Sequence, residues 1–242
     1  MQSGQDQLNL LELQKLDSKL GRLRVARQTD PTIAAVATLE QRVKQLDSTL
    51  ITAGTAVSDI TRDVKHAQAF IDEANARIAR NQQKLDAGEL NHKDTLAVTE
   101  EMTTLAARVV TLEEQLLDVM ERQEACVTAE RHIQETRDQV LADLAAATDA
   151  KDTALAGIVA EGRAVVVERD KLAATIPAPL LQRYDALRAR LGGEGAARYW
   201  GGKCEGCGLV LPPGDQEAIK KAGPEQVVTC EECGRILIRV PQ

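Results

Sequence analysis

The chain has 242 residues, of which only 2% are aromatic and 28% are charged, and its formal net charge at pH 7 is −7. This composition is typical of long exposed helices and argues against one large mixed core. The net negative charge also argues against a generally basic nucleic-acid-binding protein, because phosphate contacts need clustered Lys and Arg.

The N-terminal stretch MQSGQDQLNLLELQKL has neither a basic region nor a continuous apolar segment, and no apolar run in the chain approaches the roughly 18 residues of a membrane span. The sequence therefore predicts a cytoplasmic protein without a membrane partner. In the cytoplasm thiols stay reduced, so paired cysteines are interpreted as metal ligands before disulfides.

A first apolar stripe predicts an N-terminal helix over about residues 5–28. Its positions are Leu13, Leu16, Leu20 and Leu23. Continuing this stripe by sevens does not reach the next one, so we expect a break near 29–31, at QTDPT. Asp30 suits the cap of a second helix, and Pro31 suits its first position because that position has no need of an N–H.

The second helix carries a coiled-coil seam over seven heptads, because two apolar rows alternate at spacings of three and four. The first row is Val36, Val43, Leu50, Val57, Val64, Ile71, Ile78 and Leu85, and the second is Leu39, Leu46, Ala53, Ile60, Ala67, Ala74 and Asn81.

A turn near 86–94, at DAGELNHKD, separates this seam from another. The rows of the returning helix are Val98, Leu105, Leu112, Val119, Cys126, Ile133, Val140, Ala147 and Ala154, and Met102, Val109, Leu116, Gln123, Glu130, Arg137, Leu144, Lys151, Ile158, Val165 and Leu172. Two helices with one apolar stripe each, joined by a short turn, should pack antiparallel. Residues 1–176 are thus predicted to form a coiled-coil helical hairpin, with Gly88 at the end of the first arm and Asn91 or Asp94 capping the second.

The polar seam residues Asn81, Gln123, Glu130 and Arg137 have two interpretations. They either set the register of the hairpin or mark a looser segment that accepts a partner. Cys126 on the apolar row is interpreted as a small buried residue. His66, His92 and His132 have no second ligand at helical spacing. With no nucleophile beside a base and no phosphate loop, the sequence predicts neither an enzyme nor a small-molecule substrate.

A short connecting helix is predicted within 177–195. Its inner side carries Leu180, Leu181, Tyr184, Leu187 and Leu191, and Gly192 and Gly193 end it.

Residues 196–242 hold two C-x-x-C pairs, CEGCG and CEECG, contributed by Cys204, Cys207, Cys230 and Cys233. Two such pairs supply a tetrahedral site of four thiolates, which favours one structural Zn²⁺ because no coordination position stays open. An iron site of the same geometry and a redox-active thiol pair are the alternatives. The strand-like segments GLVL, QVVT and RILIRV predict a small β zinc ribbon that depends on its metal to fold. The fold class is therefore mainly α, a long antiparallel coiled-coil hairpin followed by a C-terminal zinc ribbon.

The chain resembles the bacterial C4-type zinc-ribbon proteins with an N-terminal coiled-coil hairpin. The resemblance covers essentially the full chain and includes LEEQLLDVMERQE in the returning arm, the helix PAPLLQRYDALR and the terminal CEECGRIL. It implies a non-enzymatic protein with zinc on the four ribbon cysteines. Members in some bacteria are linked to flagellar or type III secretion assembly, to an alternative sigma factor and to RNA.

Two functions are compatible with this sequence. The first is an interaction or adaptor protein, in which the coiled coil presents the ribbon to a protein partner. The alternative is a regulatory protein that binds RNA or DNA through the ribbon, although residues 196–242 carry six basic and six acidic side chains. The candidate partner contacts for either function are Arg198, Tyr199, Trp200, Lys203, Lys220, Lys221, Arg235 and Arg239. Tyr199 and Trp200 have a competing interpretation, in which they pack the ribbon against the helices. A thiol oxidoreductase is a third class, which predicts cysteines that react readily in the metal-loaded protein.

Overall fold

The computed structural model describes residues 4–240. The described helices are α1 (Gly4–Thr29), α2 (Pro31–Asp86), α3 (His92–Ala173), α4 (Ala178–Arg190) and α5 (Pro213–Lys221). The strands are β1 (Ala196–Trp200), β2 (Lys203–Cys204), β3 (Val228–Thr229) and β4 (Ile236–Arg239). None of the helices in this part of the chain has the length and hydropathy that crossing a lipid bilayer requires.

Capping residues separate the three long helices where the sequence predicts. Asp30 lies between α1 and α2, and its carboxylate accepts a bond of 2.9 Å from the Thr32 N–H. Hydrogen bonds from the Thr32 hydroxyl and N–H lower the pKa of Asp30. At the second junction the Asn91 side chain accepts a bond of 2.9 Å from the N–H of Asp94. Gly88 has a φ of 69° there, a conformation in which glycine carries no steric penalty.

The chain divides into two compact units. One comprises the chain up to Ala34 together with the chain from Thr148 onward, and the other is Ala35–Ala147. The predicted boundary at 176/177 therefore does not separate the units. The reason is that α1 and the end of α3 share a core with the ribbon strands.

In the unit Ala35–Ala147, α2 and α3 pack as an antiparallel pair, as predicted. Arg137 contacts Asp47, Gln123 contacts Thr61 and Asn81 contacts Glu101. Residue numbers therefore increase along α2 while those of the facing residues on α3 decrease, as in an antiparallel pair. Ile71, Ala74 and Val109 form a buried cluster of this seam.

The polar seam residues bond across the hairpin. Asn81 is buried and donates to the Glu101 carboxylate at 3.0 Å, and Gln123 donates to the Thr61 hydroxyl at 2.8 Å. The Arg137 guanidinium pairs with Asp47. Each of these three side chains thus has a specific partner on the facing helix, as the register-setting interpretation expects.

In the other unit, a four-stranded sheet packs on helices. The strand order is β2-β1-β4-β3, with β1 parallel to β4 and the other pairs antiparallel. Successive side chains alternate between the two faces, since Ile236 and Ile238 join the core with the helices while Leu237 joins the cluster around the cysteines. The helix-side core also includes Leu10 and Leu13 of α1, Ile176 after α3, and Tyr184 of α4.

The ribbon differs from its predicted strand-rich form at one segment. QVVT and RILIRV contain β3 and β4, but GLVL makes only a single bridge, between Val210 and Lys203. Residues 213–221 form α5, which is not among the elements predicted from the sequence. Pro213 begins this helix at a position where proline is well tolerated, and Ile219 is buried beneath it.

Candidate metal centre

The four predicted cysteines meet at one point between the turn after β2 and the turn after β3. Their Sγ atoms all lie within 4.8 Å of one another, and the Cys204–Cys233 and Cys207–Cys230 pairs are 3.8 and 4.0 Å apart. A tetrahedral ion with Zn–S bonds of about 2.3 Å holds its sulfurs about 3.8 Å apart. The donor set and its spacing therefore fit one structural Zn²⁺, and four sulfurs complete its coordination.

The two cysteine turns have the same backbone geometry. The Gly208 N–H donates to the Cys204 carbonyl at 2.8 Å, and the Gly234 N–H donates to the Cys230 carbonyl at 2.7 Å. Both glycines have a φ of 76°. A left-handed residue is needed to close each turn, and other L-residues are strained there, which explains glycine at both positions.

The two turns differ at one internal position, Gly206 against Glu232. A Cβ at position 206 would lie 2.6 Å from Cδ of Arg235 and 2.8 Å from Cβ of Ala197. The first turn therefore needs glycine here because the side chains of Arg235 and Ala197 approach its backbone too closely for a Cβ.

Burial and hydrogen bonding act differently on the thiols. Burial raises the pKa of Cys204 to about 12, against the opposing effect of the Cys207 and Gly206 N–H groups. Burial also opposes ionisation of Cys233, but hydrogen bonds from the backbone and guanidinium of Arg235 lower its pKa to about 7. The protein thus directs N–H donors at the sulfurs of Cys204, Cys230 and Cys233, as expected for a site that holds thiolates around a cation.

Arg235 belongs to the support of the metal centre. Besides its bond to the Cys233 sulfur, it pairs with the Glu194 carboxylate at 3.3 Å and donates to the Glu194 carbonyl at 3.2 Å. Its side chain is therefore occupied, and it is a poor candidate for a partner contact.

Arg239 is also engaged in structural bonds. It donates to four backbone carbonyls at and beyond the end of α5, those of Ile219, Ala222, Gly223 and Gln226. A cation at a helix C-terminus satisfies carbonyls that lack a partner within the helix. Two of the six predicted basic contacts, Arg235 and Arg239, thus stabilise the ribbon itself.

The other basic candidates lie at the surface. Lys203, Lys220 and Lys221 are exposed, and Lys221 lies 3.5 Å from Glu217. The Arg198 guanidinium stacks 4.2 Å above the ring of Trp200. Trp200 pairs with Lys203 on β2, and Lys203 pairs with Val210, so these three residues lie side by side.

Tyr199 and Trp200 differ in environment. Tyr199 packs on the cluster of Cys204, Leu211 and Leu237 within the ribbon. Trp200 is exposed and lines a cavity of about 440 Å³ together with Gly202, Gln216 and Lys220. The described packing of these two aromatic residues is thus within the ribbon, and does not match the interpretation that they join it to the helices.

A buried polar network that the sequence pattern does not predict lies beneath the ribbon. The Asp17 carboxylate accepts hydrogen bonds from the Tyr184 hydroxyl at 2.7 Å, from Arg188 at 3.1 Å and from Arg169 at 3.3 Å. Burial and the nearby carboxylate raise the pKa of Tyr184 well above its usual value. Asp17 thereby joins α1 to α3 and α4.

Gln14 extends this network to the strands. Its side-chain oxygen accepts from the N–H groups of Gly195 and Ala196 at 2.8 and 3.3 Å, and its amide donates to the Gly193 carbonyl at 3.1 Å. The sequence feature that indicates this network is the presence of two polar residues, Gln14 and Asp17, within the leucine stripe of α1. Such residues need partners because an unpaired buried polar group is costly.

Among residues 4–240, no second group of three or more His, Cys, Asp or Glu side chains comes close enough to hold a metal ion. Cys126 lies half-buried on α3, in the seam position that the sequence predicts.

Two protein-family models match this chain. The model of the CT398-like coiled-coil hairpin domain matches residues 13–192, and that of the C4-type zinc ribbon domain matches residues 203–237. An uncharacterized protein of Mycobacterium tuberculosis is 32% identical, over 97% of this chain and 95% of its own.

Solved structures show the same architecture. A Mycobacterium smegmatis protein is 29% identical with a TM-score of 0.87, covering 99% of this chain and 100% of its own. CT398 from Chlamydia trachomatis is 22% identical with a TM-score of 0.70, covering 98% of both chains. At that lower identity the likeness shows the fold alone.

Proposed function

Because this chain belongs to the family of CT398-like coiled-coil hairpin proteins with a C4-type zinc ribbon, we propose that it is a non-enzymatic interaction protein. In this proposal the coiled coil carries the zinc ribbon, and the ribbon is the recognition element for a protein partner. The zinc ion is structural, since four thiolates leave no coordination position for water or substrate.

The observation that carries the proposal is the row of Trp200, Lys203 and Val210, with Arg198 stacked on the tryptophan. We call these four residues the ribbon face. Trp200 is 42% exposed and Val210 is 62% exposed. Tryptophan and arginine are enriched among the residues that contribute most to protein–protein binding, and an exposed aliphatic neighbour adds apolar area to bury.

The charge of the ribbon supports a protein partner over nucleic acid. Arg235 and Arg239 are bonded within the ribbon, so the exposed cations are few and are balanced by exposed acidic side chains. A phosphate backbone would need several free cations along one track. The proposal includes a cytoplasmic location, where thiols stay reduced and available to a metal.

Crosslinked capture from native lysate tests this function. The zinc-loaded protein is compared with Trp200→Ser and Val210→Ser, each with and without nuclease, and zinc content is measured to verify that each ribbon is folded. Leu117→Ser is the control, because Leu117 is an exposed apolar residue on α3. The proposal predicts nuclease-resistant partners that are lost with the two ribbon-face variants and retained with the control.

Two results would contradict the proposal. Recovery that collapses with nuclease would make nucleic acid the partner. A turnover activity that depends on residues of the purified chain would show that the protein is an enzyme.

A further inference from the structure

A groove lies between the C-terminal half of α1 and the last third of α3, away from the zinc site. It encloses about 680 Å³, within the size range of protein binding sites. Six apolar side chains line it: Leu20, Leu23, Ile158, Val159, Val166 and Val167.

This apolar surface is open to solvent. Val166 and Val167 are among the exposed large apolar residues of the protein. Gly162 lies in the groove, and a Cβ at that position would meet no atom within 4 Å. Exposed apolar residues are common singly, but contiguous ones in a concave surface are typical of an interaction site.

Arginines surround the groove. Arg24 and Arg27 of α1 and Arg163 of α3 line it, and all three are exposed. Within residues 4–240 none of the three has an ion pair or a hydrogen bond to a side chain, whereas Arg169 and Arg188 nearby are paired with Asp17. In a chain of net charge −7, this surface is locally basic and its cations are free for a partner.

The length of the groove suits a helix. Its residues span 20–27 on α1 and 158–167 on α3, which at 1.5 Å per residue corresponds to about 10 to 14 Å, or two to three helical turns. A helix that docks in such a groove inserts apolar residues at i, i+3 or i+4, and i+7, which cover the same distance.

We infer that this groove binds an acidic amphipathic helix of a partner protein, whose apolar stripe enters between Leu23 and Val166 while its carboxylates pair with Arg24, Arg27 and Arg163. The apolar lining favours a helix with an apolar stripe, and the unpaired arginines favour one whose other side chains are acidic. The groove shares no residue with the ribbon face, so peptide binding in the groove can be tested independently of the proposed function.

Fluorescence anisotropy with a labelled peptide tests the inference on the full zinc-loaded chain. The probe is a helical peptide of about 14 residues with leucines at i, i+3 and i+7 and glutamates on its other face. Two peptides serve as comparisons, one with lysine replacing glutamate and one of the same composition without the stripe. We expect the acidic amphipathic peptide to bind at least about tenfold more tightly than either, and to weaken as salt is raised.

Matched variants locate the site. A Cβ at position 162 meets no atom within 4 Å, so Gly162→Leu places an apolar side chain in the groove and should weaken binding about tenfold or more. Gly157→Leu makes the same change on an exposed position of α3 outside the groove and should stay within about twofold. Both replace a helical glycine by a stronger helix former, so neither is expected to unfold α3. Arg163→Glu should also weaken binding, while Arg22→Glu, an exposed arginine of α1 outside the groove, should not.

Three outcomes would overturn the inference: equal binding of the acidic and basic peptides, equal effects of Gly162→Leu and Gly157→Leu, or self-association of the protein that Gly162→Leu abolishes. The last would assign the groove to a second copy of this chain. Retained peptide binding by Trp200→Ser is expected, and it separates this site from the ribbon face.

Discussion

The seam of the unit Ala35–Ala147 and the core beneath the ribbon are stabilised in different ways. The seam repeats one kind of contact, apolar rows with a few polar cross-pairs, between two helices joined by a short turn. The ribbon and the core beneath it instead depend on a few long-range contacts: Gln14 bonds α1 to the start of β1, Asp17 bonds α1 to α3 and α4, and four cysteines meet at the metal site. We call the unit that contains the zinc ribbon the ribbon unit. The free energy of unfolding of the seam is therefore spread over many positions, whereas a few residues should contribute most of that of the ribbon unit.

Two spectroscopic signals distinguish these regions. Trp200 is the only tryptophan, and both tyrosines also lie in the ribbon unit, so intrinsic fluorescence reports on that unit. Far-UV circular dichroism is dominated by the long helices α2 and α3.

Removal of zinc should have the largest effect. Structural zinc contributes on the order of 10 kcal/mol to the folding of small zinc domains, so chelation should unfold the ribbon and change the Trp200 signal while most helical dichroism remains. Cys204→Ser should do the same. Cys126→Ser is the control and should retain full zinc content, because Cys126 is outside the cluster.

The same experiment addresses thiol redox activity. The four ribbon cysteines should react slowly with a thiol reagent before chelation and rapidly after it, since coordinated thiolates are protected. Rapid labelling of the zinc-loaded protein would favour an oxidoreductase and contradict a structural site.

Asp17→Ala should have the next largest effect. The Asp17 side chain is 1% exposed, and its loss leaves Arg169, Arg188 and the Tyr184 hydroxyl without their shared acceptor. We expect a loss of about 3 kcal/mol in the free energy of unfolding, measured by urea titration of Trp200 fluorescence.

Asp170→Ala is the matched control for Asp17→Ala. Asp170 is also near Arg169, at 3.9 Å, but its side chain is 67% exposed, so its removal should cost less than about 1 kcal/mol. Equal losses from the two variants would show that burial of the Asp17 network does not stabilise this unit.

Ile71→Ala should have a smaller and more local effect. Ile71 is 4% exposed in the seam, and truncation there should cost about 2 to 3 kcal/mol, seen in the dichroism of thermal unfolding. Ile51→Ala makes the same change on α2 at a residue that is 73% exposed, and should cost less than about 0.5 kcal/mol. A shift of the Trp200 transition by Ile71→Ala would contradict the separate stability of the two units.

Gly208→Ala should have the smallest effect, confined to one cysteine turn. A Cβ there meets no atom within 4 Å, so the cost is that of the left-handed backbone alone, about 1 to 2 kcal/mol, measured as weaker zinc retention against a competing chelator. Gly208→Asn should retain zinc better, because asparagine tolerates this conformation. Equal retention by the two variants would argue against backbone strain as the cause.

Local patterns in the sequence account for much of this fold. The heptad rows, the Asp30 and Asn91 caps and the two cysteine turns are each specified within a few residues, and all appear as predicted. The Asp17 network and the place of α1 beneath the ribbon depend on contacts between residues more than 150 positions apart, which periodicity does not reveal. The same holds for Arg235 and Arg239, whose bonds to the ribbon are not apparent from their charge.

Recognition of a protein partner by the zinc ribbon is tested by following partner capture through a cycle of zinc removal and return. A nuclease-treated crosslinked capture is carried out with zinc-loaded, chelated and zinc-restored protein, while helical dichroism is recorded on each sample. We expect nuclease-resistant capture to be lost on chelation and regained with zinc, while the dichroism of the long helices stays largely unchanged. Capture that persists in the chelated protein would show that the zinc ribbon is not the recognition element.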